Sequence, residues 1–172
     1  GSCADFRRYL SENLIDVAFS LGVKIDSDEF ISDVELKEPM LLLAYPGHDL
    51  IKKKEIFPTD IKDESLILTE TGCSYRAAFE RILKDNGIKA NITLETGSVQ
   101  AIKQFTMSGL GITFLPEIAV KDEVKAGKLI PLNWAGPDLN IISQVIYHKD
   151  KWISPALKEF ISLSHRFLKQ NL

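Results

Sequence analysis

The sequence predicts an α/β fold, and three observations carry that prediction. Between residues 65 and 132, short apolar runs alternate with segments whose apolar residues recur at helical spacing. Strands alternating with helices in this way argue for a parallel sheet with helices on both faces. The punctuation agrees: Ser98 and Pro116 stand where helices should start, and Gly109 and Gly127 where they should stop. The 172 residues are 45% hydrophobic and 26% charged, enough to bury a proper core as one domain or two small lobes.

In order, Ala4 to Leu10 reads as a short helix with Phe6, Tyr9 and Leu10 on one face, ended by Asn13, which tolerates the left-handed conformation. Leu14 to Phe19 reads as a buried strand, and Lys24 to Ser32 as a polar loop. Val34 to Tyr45 divides into two strand pieces around Pro39, the second central to a sheet. Pro46 to Leu50 is turn chemistry leading into Lys52 to Lys54, read as a solvated run, with His48 as a loop histidine. A crossing segment with a short helix, 56–61, leads to strand 65–69, helix 74–85, strand 90–95, helix 98–108, strand 112–114, helix 116–125 and strand 129–132. After the break at Ala135 to Asp138, Ile141 to His148 is a strand. Ser154-Pro155 then opens a final helix with Leu157, Phe160, Ile161, Ser164, Phe167 and Leu168 on one face.

The phrase Ser108 to Pro116, Ser-Gly-Leu-Gly-Ile-Thr-Phe-Leu-Pro, followed by Ala126-Gly127-Lys128-Leu129, closely resembles the effector-binding domain of LysR-type transcriptional regulators, which bacteria use to sense small molecules. Asn13 to Ala18 matches that family's Gly-x-Leu-Asp-Leu-Ala phrase with Asn in place of Gly, and Ser154 to Phe160 fits its ending. The resemblance implies a two-lobed periplasmic-binding-protein-like (type 2) fold with a ligand cleft between the lobes. Residues 3–60 and 138–172 would form lobe I, and 61–137 lobe II. It also implies that lobe I is incomplete, since a strand-helix-strand unit of roughly 30 residues is expected before Ala4. Gly1-Ser2 in place of an initiator Met reads as a tag-removal scar, so the sequence is expected to be an N-terminally truncated fragment. Missing central strands would leave a sheet edge open to pairing with another chain.

The implied function is effector sensing: a small metabolite, expected to be anionic, binds in the cleft and controls a winged helix-turn-helix absent from this chain. DNA would be reached only through that absent domain, and the intact protein would be a cytoplasmic homodimer or tetramer. A solute-binding protein of a transport system is the alternative, and the reading frame upstream of Cys3 would separate the two. The net charge of -3 argues against direct nucleic-acid binding. No run of about 18 apolar residues supports a membrane span.

Ligands of open α/β sheets bind beyond the carboxyl ends of strands, where helix N-termini offer unpaired N–H groups. Two such turns occur: Thr69-Glu70-Thr71-Gly72-Cys73-Ser74 and Thr96-Gly97-Ser98. Helix capping alone would also select these residues, but side by side the turns would aim at one cleft, and the resemblance implies that effectors contact both. Phe19 and Ser20, at a strand end, are expected to face the same cleft.

Enzyme chemistry finds no constellation. His48, His148 and His165 are scattered, Gly109-Leu110-Gly111 lacks the third glycine of a dinucleotide fingerprint, and Asp16 reads as a structural acid. No cofactor or metal pattern is present, and Cys3 and Cys73 match neither a zinc nor a C-x-x-C spacing. Cys73 at a helix N-terminus would have a favoured thiolate, with Arg76 a possible partner, but this helix has no second Cys to resolve an oxidised one.

Overall fold

A computed structural model of the chain describes residues 5–170, with side chains to Phe167. Cys3, the expected helix start at Ala4 and the side chain of Leu168 lie outside the described residues. The chain divides into two compact units. Unit 1 holds the segment up to Glu38, Gly72–Tyr75 and the segment from Asn140 on; unit 2 holds Pro39–Thr71 and Arg76–Leu139.

Unit 1 contains α1 (Asp5–Ser11), β1 (Ala18–Val23), β2 (Phe30–Lys37), β8 (Ile141–His148) and α5 (Pro155–Gln170). Its sheet has the order β1-β8-β2 and is antiparallel throughout, with Ala18 opposite Ile146 and Val23 opposite Ile141. Asn13 has φ 58°, the left-handed conformation expected of it. The strand after it starts at Ala18 rather than Leu14. Lys151 bonds both the Asn13 side chain and the Asp16 carboxylate, fixing 13–17 as a loop with Leu14 exposed. Residues 24–32, expected to be loop, give up Phe30 to Ser32 to β2, because Phe30 is buried with Leu10, Ile25 and Ile146 in one cluster. At Val34 (φ 53°) the pairing with β8 slips, and the Val34 N–H bonds the Asp33 carboxylate at 2.8 Å.

The interior of this sheet carries a fully buried amide, Gln144. Its oxygen accepts from Ile25 N (3.3 Å) and Ser32 Oγ (2.8 Å), and its nitrogen donates to Val23 O (3.1 Å). A buried amide is tolerable only when its polar atoms are satisfied, and these bonds span the end of β1, the loop after it and β2.

Unit 2 is built on β3 (Met40–Ala44), β4 (Leu66–Leu68), β5 (Ile92–Glu95), β6 (Thr113–Pro116) and β7 (Ile130–Leu132). Its helices are α2 (Ser74–Asp85, whose first turn falls in unit 1), α3 (Val99–Met107) and α4 (Glu117–Lys125). Single 3-10 turns occupy Asp49–Lys52 and Pro58–Ile61. β4 and β5 pair in parallel as expected, and a parallel bridge joins Leu66 to Ile112. The sheet is not purely parallel, however, because β3 runs antiparallel to both β6 and β7. That pairing also moves the lobe boundary. Residues 39–60, assigned to lobe I from the sequence, belong to unit 2, since β3 lies between two unit 2 strands.

Leu43, Ile67, Ile102, Leu115, Val120 and Leu129 form the core of unit 2. Phe79 stacks on Phe114 with centroids 4.5 Å apart, and Trp134 meets both rings edge-on. Lys103 is buried, donates to Ala119 O at 3.0 Å and pairs with Glu123 at 2.8 Å, which locks α3 to α4.

Replacing Gln144 with Ala orphans three buried or half-buried partners and is expected to cost about 3 kcal/mol in urea unfolding, against about 1 kcal/mol for Ser32→Ala, which removes one of the bonds.

Candidate functional site

The parallel pairing of β4 with β5 sets Leu68 opposite Glu95, so the turns that follow these strands lie side by side in unit 2. Thr96 N donates to Leu68 O at 3.2 Å and ties one turn to the other. Ser98 caps α3: its Oγ accepts from Ala101 N at 3.3 Å, while its own N–H bonds Thr96 Oγ1 at 3.2 Å. At Gly97 a Cβ would stand 3.0 Å from Glu70 Oε2, so glycine gives that carboxylate its place beside the head of α3.

The first turn is already occupied. Thr71 N and Oγ1 both donate to Glu95 Oε1, at 2.9 and 3.1 Å. Arg76, whose side chain is nearly buried, holds Glu95 Oε2 at 2.7 Å and Glu80 at 3.2 Å, and bonds the Thr69 carbonyl. The Thr71 N–H and then the Arg76 guanidinium keep the Glu95 carboxyl below its ordinary range. Open donors for an anion, expected at Thr71 from the sequence, are therefore taken by an internal carboxylate. Arg76 is neither solvated nor free to serve Cys73. The arrangement is reciprocal: Glu95, ending β5, reaches the turn after β4, and Glu70, after β4, reaches the turn after β5.

In unit 1, Ser20, Gly72 and Ser74 line one cavity of about 360 Å³. Gly72 has φ 99°, a conformation that glycine adopts without strain. Ser74 Oγ donates to Leu21 O at 2.8 Å, tying the head of α2 to β1. Ser20 is buried, whereas Phe19, next in the strand, is 57% exposed on the opposite face. Cys73 is a free, half-buried thiol. Each unit thus gathers part of the predicted set, Phe19, Ser20 and Gly72 to Ser74 in one, Thr71 and Thr96 to Ser98 in the other.

The histidines are scattered, as expected. His48 pairs with Glu64 at 3.3 Å, His148 faces Glu29 at 3.6 Å and His165 pairs with Asp33 at 2.8 Å. Among the described residues no group of three His, Cys, Asp or Glu side chains could hold a metal ion, and no helix is long and apolar enough to cross a membrane. Lys52 and Lys53 pair with Asp49 and Asp60, consistent with a solvated run.

The family model of the LysR substrate binding domain matches residues 1–169. The chain belongs to the LysR substrate-binding domain family. An uncharacterized HTH-type transcriptional regulator, YwqM of Bacillus subtilis, is 39% identical over 163 residues, covering 95% of this chain and 55% of its own length. The HTH-type transcriptional activator CmpR of Synechocystis is 32% identical over 152 residues, covering 88% and 50%. The chain therefore spans about half the length of the curated relatives it matches. The effector binding domain of QuiR in complex with shikimate has the same fold, at TM-score 0.81 and 19% identity, covering 99% of this chain and 79% of that one. The CcmR regulatory domain of Synechocystis in complex with 2-PG gives 0.79 and 21%, covering 96% and 79%. The fold class is the periplasmic-binding-protein-like (type 2) α/β fold expected from the sequence.

Within this LysR substrate-binding domain, sequence reasoning put Glu70 in the first turn without a role and missed Glu95. Glu95 ends β5, Glu70 follows β4 by two residues, and each stands just before a Thr-Gly pair; an acid beside a helix N-terminus is the signal that would have found them.

Because its carboxyl is held below the ordinary range, Glu95 stabilises the fold above its unfolded pKa of about 4.3, and that stabilisation is lost as pH falls through the folded value. Wild type is expected to lose melting temperature as pH falls from about 5 to about 3, through and below the unfolded pKa. Glu95→Gln should start lower at pH 7 and lose less over that interval in the same thermal melts.

Proposed function

We propose that this chain is the effector-sensing part of a bacterial LysR-type transcriptional regulator. A small anionic metabolite binds it, and the shift in its conformational populations passes to a winged helix-turn-helix outside the chain. Ser20, Gly72, Cys73 and Ser74 of unit 1 and Thr96, Gly97 and Ser98 of unit 2 contact that ligand. The domain is not catalytic; it works in the cytoplasm, within a homodimer or homotetramer that reaches DNA through the other domain. The family match over residues 1–169 carries this reading. The relatives described above are named as transcriptional regulators, which supports a regulator over a transport protein.

A thermal-shift screen of organic acids and inorganic anions tests it. A ligand at a hundred times its Kd adds about 2.7 kcal/mol, a rise of roughly 5–10 °C for a chain of this size. Ser20→Ala and Ser98→Ala should shrink the ligand-induced rise, measured against each variant's own ligand-free melt. Loss of the Ser98 cap also lowers that baseline by about 1 kcal/mol. A hit that raises both variants as much as wild type removes the site assignment, and a screen of all anion classes without a hit removes the anionic effector.

A further inference from the structure

Unit 1 carries a second cavity, of about 550 Å³, which shares no lining residue with the 360 Å³ cavity described above. Its volume lies within the roughly 300–1,000 Å³ of small-molecule sites. Leu10 and Leu157, both buried, give it an apolar lining. Trp152, in the loop between β8 and α5, lines it too and is 77% exposed. Tryptophan is highly buried on average, so this side chain leaves most of its ring surface free for contact at the cavity wall.

The charges around the cavity decide what meets that ring. Lys151, the lining cation, is spent: it is nearly buried and bonds both the Asn13 side chain and the Asp16 carboxylate. The head of α5 is closed as well. Pro155 has no N–H, the Leu157 N–H bonds Ser154 Oγ at 3.1 Å, and the Lys158 N–H bonds Ser154 O at 2.9 Å. Ser11 gives its proton to Glu29. His148 Nδ1 accepts the Asp150 N–H at 3.2 Å, so that nitrogen offers the loop a lone pair, while Nε2 faces Glu29. The Asp150 carboxylate has the His148 ring 3.9 Å away and accepts no hydrogen bond among the described residues. Positive groups at the wall are thus committed, while a carboxylate and an indole stay open. An anion would find no charged donor there. A cation finds both partners it needs, since an aromatic ring face attracts positive charge and a carboxylate accepts N–H groups.

We propose that this cavity is a second ligand site, for a small organic cation whose ammonium or guanidinium group pairs with Asp150 beside the Trp152 ring while its hydrocarbon body packs on Leu10 and Leu157. The site is separate from the effector reading, because none of its residues is among those assigned to the effector.

The test titrates the chain calorimetrically with butylammonium, benzylammonium and butylguanidinium, each beside a neutral analogue: 1-butanol, benzyl alcohol and butylurea. At least one cation is expected to bind, and its neutral analogue about tenfold more weakly or worse. Affinity for that cation should fall about fivefold in Asp150→Asn and about fivefold in Trp152→Ala, with Trp152→Phe keeping part of it. Asp150 and Trp152 are exposed, so these variants should keep the wild-type ligand-free melt. The bound cation should also change tryptophan emission, and the change should vanish in Trp152→Phe, which leaves Trp134 as the sole tryptophan. A cation bound no tighter than its analogue overturns the site, as does an affinity unchanged in either Asp150→Asn or Trp152→Ala. So does an emission change that persists in Trp152→Phe, or failure of all three cations to bind. The effector reading stands under each of these outcomes, because it rests on other residues.

Discussion

Unit 1 depends on one strand arriving from far along the chain. β1 and β2 do not pair with each other; each pairs with β8, so no three-stranded sheet exists until residues 141–148 return between them. Long-range pairing of this kind must overcome the entropy of closing the intervening loop before any ladder bond forms. Gln144 explains how the return is fixed in place. Its buried amide is satisfied only when Val23, Ile25 and Ser32 are all at hand, so a slipped register would leave polar atoms bare in the interior. The cavity walls contributed by Ser20 and Val23 inherit their position from this arrangement.

Charge in unit 2 is arranged around two adjacent turns. Acidic side chains occupy both: Glu95 on the Thr71 turn, backed by Arg76, and Glu70 beside Gly97. Such crossed pairing ties β4, β5 and α2 together through side chains as well as ladder bonds.

Much of this was legible in the residues. Helix α2 falls on residues 74–85 as the pattern predicts, β8 on 141–148, Asn13 adopts the left-handed turn and Ser98 caps α3, because each is decided by local chemistry or by strong periodicity. What was not legible is decided by distant partners. The loop at 13–17 rests on Lys151, the unit 2 membership of residues 39–60 on β6 and β7, and the blocked donors of Thr71 on Glu95. No window along the sequence contains both members of these pairs.

Val34 offers a last consequence. A β-branched residue at φ 53° is strained by roughly 1–3 kcal/mol, and it interrupts β2, a strand at the margin of its sheet. The interruption twists and breaks the row of backbone groups that a neighbouring molecule would need as a template. A broken row of this kind is a poorer template for an added strand than a regular edge would be, so the irregularity at Val34 bears on the outside of the sheet as well as on its pairing with β8.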